Sequence, residues 1–119
     1  MSLLWSEYAR IAARKKNKGE DNMAKAYLVS LVRKVNDASK LDGYRKLAGP
    51  AMEAAGGRFI ARGDAAIAYE AGLEGRTVII EFDSVEAAIA AHDGAGYQEA
   101  LKALDGGLER DIRIVEGLD

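Results

Sequence analysis

An antiparallel sheet with two helices on one face, in the order β-α-β-β-α-β, is the fold that this sequence predicts, and three observations predict it. From Met23 onward the apolar spacing switches between strand-like runs and helix-like stripes. The glycine pairs Gly56-Gly57 and Gly106-Gly107 each close a helical stripe and open the next extended run. Between the two helical stretches lie two extended runs with no helical stripe between them. That order is the split βαβ arrangement of ferredoxin-like α+β domains.

Each element has its own signature. Residues 26–32 are apolar on both faces apart from Ser30, as in a buried strand. Asp37 is a helix cap, and Leu41, Tyr44, Leu47, Ala48, Ala51 and Ala55 form one stripe behind it. Gly49-Pro50 is expected to kink or divide that helix. Residues 58–62 form the second strand, and residues 63–75 a loop or irregular hairpin with a short strand at 65–69. Residues 76–82 form the next full strand. Ser84 caps a helix in which Val85, Ala88, Ile89 and His92 share a face, interrupted by Gly94 and Gly96. Tyr97, Ala100, Leu101 and Leu104 then begin a second stripe, and residues 111–116 alternate as the last strand.

The chain has 119 residues, 49% of them hydrophobic and 30% charged, which suits one globular domain. A net charge of −2 and the lack of a basic aromatic cluster argue against nucleic acid as a partner. With no cysteine, disulfides, thiolate catalysis and zinc–thiolate sites are excluded, and one histidine excludes multi-histidine metal sites. No metal or cofactor is expected. Gly94-Ala95-Gly96 lacks the third glycine and the preceding strand of a dinucleotide fingerprint, and no phosphate loop or calcium loop is present. The cysteine-free composition fits a cytoplasmic protein.

Residues 1–22 read as a basic amphipathic helical extension to a domain at 23–119. They hold five basic and three acidic side chains, against 12 and 16 in the remainder. Leu4, Tyr8, Ile11 and Ala12 share a helical face, followed by a cationic end and Gly19. The segment has neither the apolar core of a signal peptide nor the length of a membrane span. Trp5 and the basic end fit a membrane-surface helix. Because so short an amphipathic helix more commonly buries its face on protein, the expected reading is docking on the domain or a partner, or an upstream extension to a domain starting at Met23.

Strands that are apolar on both faces need a cover on the side away from the helices. The simplest is the same face of a second copy, which makes a homodimer of barrel-like, face-to-face sheets. Strict alternation turns Phe59 and Ala61 toward the helices and Arg58, Ile60 and Arg62 toward the sheet–sheet interior. If Thr77, Ile79 and Glu81 face the same way, Glu81 pairs with Arg62 or Arg58. Such charges serve either as a salt bridge at the sheet edge or dimer seam, or as an anion site using the arginine fork. His92 ends a helical stripe and is either a general acid–base or a helix-end histidine. Tyr27 and Tyr44 read as core residues, and Tyr97, just past a glycine, as the pocket tyrosine.

Residues 24–117 also resemble domain-of-unknown-function family 1330, in the dimeric α+β barrel superfamily. The resemblance rests on Tyr44, Gly-Gly-Arg-Phe-x-x-Arg-Gly from Gly56 to Gly63, and Glu74-Gly75. It continues with Arg76 leading Val78-Ile79-Ile80-Glu81-Phe82, then Ser84, Tyr97-Gln98 and Val115-Glu116-Gly117. It implies a ferredoxin-like protomer and a dimer, without a defined reaction. Two functions follow as expectations. One is a binding protein for a small anionic or oxygenated metabolite between sheet and helices, using Arg58, Arg62, Arg76 and Tyr97. The other is a cofactor-independent enzyme of the isomerase, dehydratase or monooxygenase kind. There an arginine, Arg62 or Arg58, holds an anionic oxygen, Tyr97 donates a hydrogen bond, and His92 or Glu81 moves a proton.

Overall fold

A computed structural model describes residues 24–118. Strand β1 (Ala26–Val35) leads through a short helical turn (Ala38–Lys40) into α1 (Leu41–Ala54). Strands β2 (Arg58–Asp64) and β3 (Arg76–Phe82) follow, then α2 (Val85–Asp93), α3 (Ala95–Leu104) and β4 (Leu108–Glu116). The strands form one antiparallel sheet in the order β2-β3-β1-β4, with the helices on one side of it. This is the ferredoxin-like arrangement. The expected extension at 1–22 lies outside the described residues.

The alternation of β1 sets the two faces. Ala26, Leu28 and Ser30 are buried, and register brings them opposite Phe82, Ile80 and Val78 of β3 and Glu116, Ile114 and Ile112 of β4. Against this face pack Ala48 and Met52 of α1, Ala88 and Ala91 of α2, and Tyr97 and Ala100 of α3. The core is built largely from alanines around Phe82 and Met52, which lets the helices lie close. A Cβ on Gly96 would stand 3.2 Å from the Ala51 side chain, and one on Gly43 would stand 3.7 Å from that of Ala103.

Helix ends follow local chemistry. Ser84 Oγ accepts the Ala87 amide at 3.0 Å and starts α2. Gly94 separates α2 from α3, as its break in the apolar stripe implied. Asp37 caps only the short turn, accepting the Ser39 amide at 3.0 Å, and α1 starts at Leu41. Gly49-Pro50 does not divide α1, which runs unbroken through Pro50. The residue before a proline resists the helical region because of its Cβ, and here that residue is a glycine.

Three other expectations change. Residues 65–69 form no strand: they lie past the last β2–β3 pair, Asp64 with Arg76, where no neighbour offers a ladder. Strand β4 begins at Leu108 instead of residue 111. The third concerns Arg62. Phe59 pairs with Ile80 and Ala61 with Ile79, so Ile60 is an extra residue in β2, a β-bulge. One extra residue reverses every face beyond it. Arg58 therefore faces away from the helices beside Glu81, whereas Arg62, opposite Val78, turns to the helix side with Phe59.

Gly57 fixes the approach of β2 to the core. A Cβ there would meet Ile80 Cγ2 at 2.8 Å, Phe82 Cζ at 2.9 Å and the Met52 carbonyl at 3.0 Å. Gly57→Ala is expected to cost about 1–3 kcal/mol in urea unfolding, the usual range for overpacking. Gly63→Ala, with nothing within 4 Å of its added carbon, serves as the control and is expected to be neutral or slightly stabilising. Equal losses in both variants would refute this account of Gly57.

Candidate functional site

Between the helices and the sheet lies a pocket of about 910 Å³. Its apolar walls come from Leu28 and Val32 of β1, Val78 and Ile80 of β3, Phe59 of β2, and Ala48 and Met52 of α1. Its polar groups are mostly donors: Arg62, Arg76, Arg110, Arg33, Lys34, Arg45, Ser30, Tyr44 and Tyr97, with Asp64 and Glu74 as the acids.

Arg110, Tyr44 and Tyr97 organise one end. Arg110 lies on the helix-side face of β4, opposite Val32 and two residues before Ile112. Its Nη1 donates to the Tyr44 hydroxyl at 2.9 Å and its Nη2 to the Tyr97 hydroxyl at 2.9 Å. The two hydroxyls are 2.6 Å apart and share a hydrogen bond. The Arg110 guanidinium also stacks on the Tyr44 ring, 4.9 Å from its centroid. The two phenol rings meet edge to face, 6.0 Å between centroids at 77°.

A proton count shows what this arrangement can do. Both phenol oxygens accept from the guanidinium, and one hydroxyl proton joins the two oxygens. The other hydroxyl proton remains to be donated, as do further guanidinium N–H groups. Burial pushes the Tyr97 phenol well above its ordinary range, Tyr44 beside it adds to the rise, and Arg110 opposes it. Tyr97 is therefore a neutral donor at physiological pH. Burial works against the charge of Arg110, but the tyrosine oxygens outweigh it and its pKa stands above the usual value. Its ion-pair partner is missing: among the described residues no carboxylate lies within salt-bridge distance of Arg110. A partly buried cation held only by neutral oxygens favours an arriving anion.

Of the residues predicted from sequence, Arg62, Arg76 and Tyr97 line this pocket. The Arg62 guanidinium lies over the Phe59 ring at 4.5 Å. Arg58 and Glu81 do not join them, because they occupy the opposite face of the sheet. There Glu81 accepts from Arg58 Nε at 3.0 Å and from the Tyr27 hydroxyl at 3.0 Å, and Arg58 Nη2 also meets Asp83 at 3.2 Å. Arg58, and then Tyr27, hold the Glu81 carboxyl below its usual range. Tyr27 is thus a partner on the far face and not a core residue. His92 lies outside the pocket lining: its ring is 5.2 Å from that of Tyr97, on the side held by Asp93 at 2.9 Å.

Arg110 was missed from sequence because it lies just before residues 111–116, where the last strand is expected to begin. The signal was present nonetheless. Carrying the alternation of Ile114 and Ile112 back two residues places Arg110 on the buried face.

Among the described residues no group of three or more acids and histidines could hold a metal ion, and no helix is long and apolar enough to cross a membrane. A four-stranded ferredoxin-like sheet with a donor-lined pocket under its helices defines a small α+β protein with a candidate site between its two layers. The chain belongs to the family described as domain of unknown function (DUF1330), whose model matches residues 25–118. No curated protein matches it. It is similar to a protein of unknown function from Rhodopseudomonas palustris, at 20% identity and a TM-score of 0.65, covering 93% of each chain. It is also similar to a candidate antibiotic biosynthesis monooxygenase from Caulobacter crescentus, at 14% identity and a TM-score of 0.55, covering 82% of this chain and 92% of that one. A second such protein, from Nitrosomonas europaea, matches at 16% identity and a TM-score of 0.53, over 81% and 91%. These likenesses show the fold.

Two outcomes follow for the site. Arg110→Met keeps the volume and leaves the two hydroxyls bonded to each other. It is expected to unfold within about 1 kcal/mol of wild type or above it, since apolar replacement of a buried charge is often neutral or stabilising. The second outcome concerns pH. The folded Tyr97 keeps a proton that the unfolded chain releases near pH ~10. Its contribution is complete below that value and is lost as pH rises toward the folded pKa. Urea midpoints between pH 8 and 11 should therefore fall less steeply in Tyr97→Phe than in wild type. Identical slopes would contradict a raised Tyr97.

Proposed function

We propose that this chain is a homodimeric binding protein for a small anionic or oxygenated molecule, held between the sheet and the helices. The observation that carries the reading is the Arg110 guanidinium, set at one end of the pocket with two phenols as acceptors and, among the described residues, no carboxylate within salt-bridge distance. A ligand carboxylate or enolate oxygen supplies the missing charge and takes the free hydroxyl proton. The hydrocarbon body lies along Leu28, Val78, Ile80, Met52 and Phe59, where burial contributes roughly 25 cal/mol per Å². Arg62 and Arg76 line the same cavity.

The dimer reading rests on the sheet face away from the helices. Val29, Ile79 and Leu31 lie there beside the Tyr27–Glu81–Arg58 row, and Leu31 and Val115 are 36% and 53% exposed. A second copy of this face covers the patch.

The enzyme reading keeps one supporting observation. The hydroxyl and guanidinium donors left over at the Arg110–Tyr44–Tyr97 cluster suit an oxygen that gains charge during a reaction. In that reading Arg110, Tyr44 and Tyr97 hold the oxygen. Glu81 lies across the sheet, so the acids lining the pocket, Asp64 and Glu74, take its place as proton acceptors.

A calorimetric and thermal-shift screen of small carboxylates, lactones and aromatic acids tests binding. Ligands should raise the midpoint of wild type and leave Arg110→Met unshifted, although that variant is folded. A ligand that stabilises both proteins equally binds elsewhere, and this reading then fails. Light scattering tests assembly: wild type should run at twice the chain mass of 12.8 kDa, and Ile79→Lys at one chain mass with its far-UV spectrum kept. A monomeric wild type removes the dimer and leaves the pocket reading standing.

A further inference from the structure

The pocket reading rests on one end of the cavity, and the other end has a cation of its own. Arg62 belongs to β2 and Arg110 to β4, the two edge strands of the sheet. Both are on the helix side and both line the same pocket. A lateral row connects them: Arg62 is opposite Val78, Val78 opposite Ser30 and Ser30 opposite Ile112, with Arg110 two residues before Ile112. Three strand spacings separate the two edges, about 14 Å between backbones, and the arginine side chains reach inward from each.

Between the two cations the lining is apolar except for Ser30. Val78, Leu28 and Ile80 form the floor, and Met52 and Phe59 also line the space. The distal end resembles the proximal one in a decisive respect. Among the described residues neither Arg62 nor Arg76 has a carboxylate within salt-bridge distance, although Asp64 and Glu74 line the same cavity. Arg62 instead rests on the Phe59 ring, which fixes its plane without neutralising it. Each end therefore offers a guanidinium set against an aromatic ring, Tyr44 at one and Phe59 at the other.

We propose that the ligand is bipolar: a short apolar body with an acidic oxygen group at each end, one on Arg110 with Tyr44 and Tyr97, the other on Arg62. α,ω-Dicarboxylates and aromatic acids with a second acidic oxygen opposite the carboxylate belong to this class. Selectivity lies at the distal end, because any carboxylate satisfies the proximal one. Arg62 is itself exposed, so water solvates it when the second acid is absent, and the preference comes from the additional charge-assisted contact alone.

Isothermal titration calorimetry of the full chain tests this with three probes of equal chain length: octanoate, suberate and 8-aminooctanoate. Suberate is expected to bind wild type about two- to fivefold tighter than octanoate, the effect of one further ion pair at an exposed guanidinium. In Arg62→Gln the two ligands should bind equally, and in Arg62→Lys part of the preference should remain. Arg110→Met should bind none of the three. If octanoate and suberate bind wild type equally, and Arg110→Met binds neither, the bipolar ligand is wrong and the anion pocket stands. If 8-aminooctanoate binds tighter than suberate, Asp64 and Glu74 read the distal group, and the proposal is likewise overturned. If no probe binds, both readings fall.

Discussion

Arg110 cannot give up its proton, so once β4 carries it inward, acceptors have to meet it there. The two that do come from different helices, Tyr44 from α1 and Tyr97 from α3, and their hydroxyls also bond to each other. One side chain thus joins a strand to two helices and sets how far apart their near ends stand above the sheet. At this end the helical layer is held off β4 by two phenol rings and a guanidinium, and the cavity opens there. Elsewhere the layer closes on alanines, Ala88, Ala91 and Ala100, which bring the helices down onto Ala26, Leu28 and Phe82. Because polar atoms spread the layers at one end and small apolar residues close them at the other, the fold has both a tight core and a pocket without needing a disordered boundary between them.

The β-bulge at Ile60 then decides which charges enter that pocket. Without the extra residue, Arg58 and Arg62 would share the face away from the helices, beside Glu81. With it, Arg58 stays in a row with Glu81 and Tyr27, and Arg62 enters the cavity above Phe59. A second irregularity between Val32 and Lys34 of β1 lies opposite the start of β4, near Arg110. The two deviations from regular pairing therefore flank the two ends of the cavity, in keeping with the tendency of bulges to re-aim side chains near sites.

This division explains what was legible in the sequence. The order of elements could be read because period and punctuation agree: Ser84 caps a helix, Gly94 breaks it, and Gly56-Gly57 opens a strand, each through a local rule. Tyr97 was legible as a pocket residue because it follows a helix break on an apolar stripe. The position of Arg62 was not, since Arg-Phe-Ile-Ala-Arg alternates just as well with or without a bulge, and only pairing with β3 reveals the extra residue. Arg110 fell to the opposite error. Its acidic neighbours Glu109 and Asp111 suggested solvent, while the periodicity of Ile112 and Ile114 pointed inward. Where local polarity and periodicity disagree in a strand, periodicity is the stronger guide, because backbone pairing fixes every second side chain on one face whatever its charge.

The sheet also keeps two electrostatic systems apart. Glu81 is flanked in sequence by Ile80 and Phe82, which are 4% and 0% exposed on the helix side. Its carboxylate is fully engaged by Arg58 and Tyr27 on the far face, so it cannot neutralise the pocket arginines through the intervening layer. Even on a shared face the two would stand apart: Glu81 is opposite Tyr27, whose partner on β4 is Val115, five residues beyond Arg110. Strand alternation adds a second separation, with the acid on one side of the sheet and the cation on the other. The uncompensated charge of Arg110 is thus a consequence of topology as much as of composition. It persists even though the chain as a whole is acidic, with 19 acids against 17 bases. A binding site for anions in an acidic protein depends on this kind of segregation, because net charge would disfavour approach and only a local, partly desolvated field can reverse it.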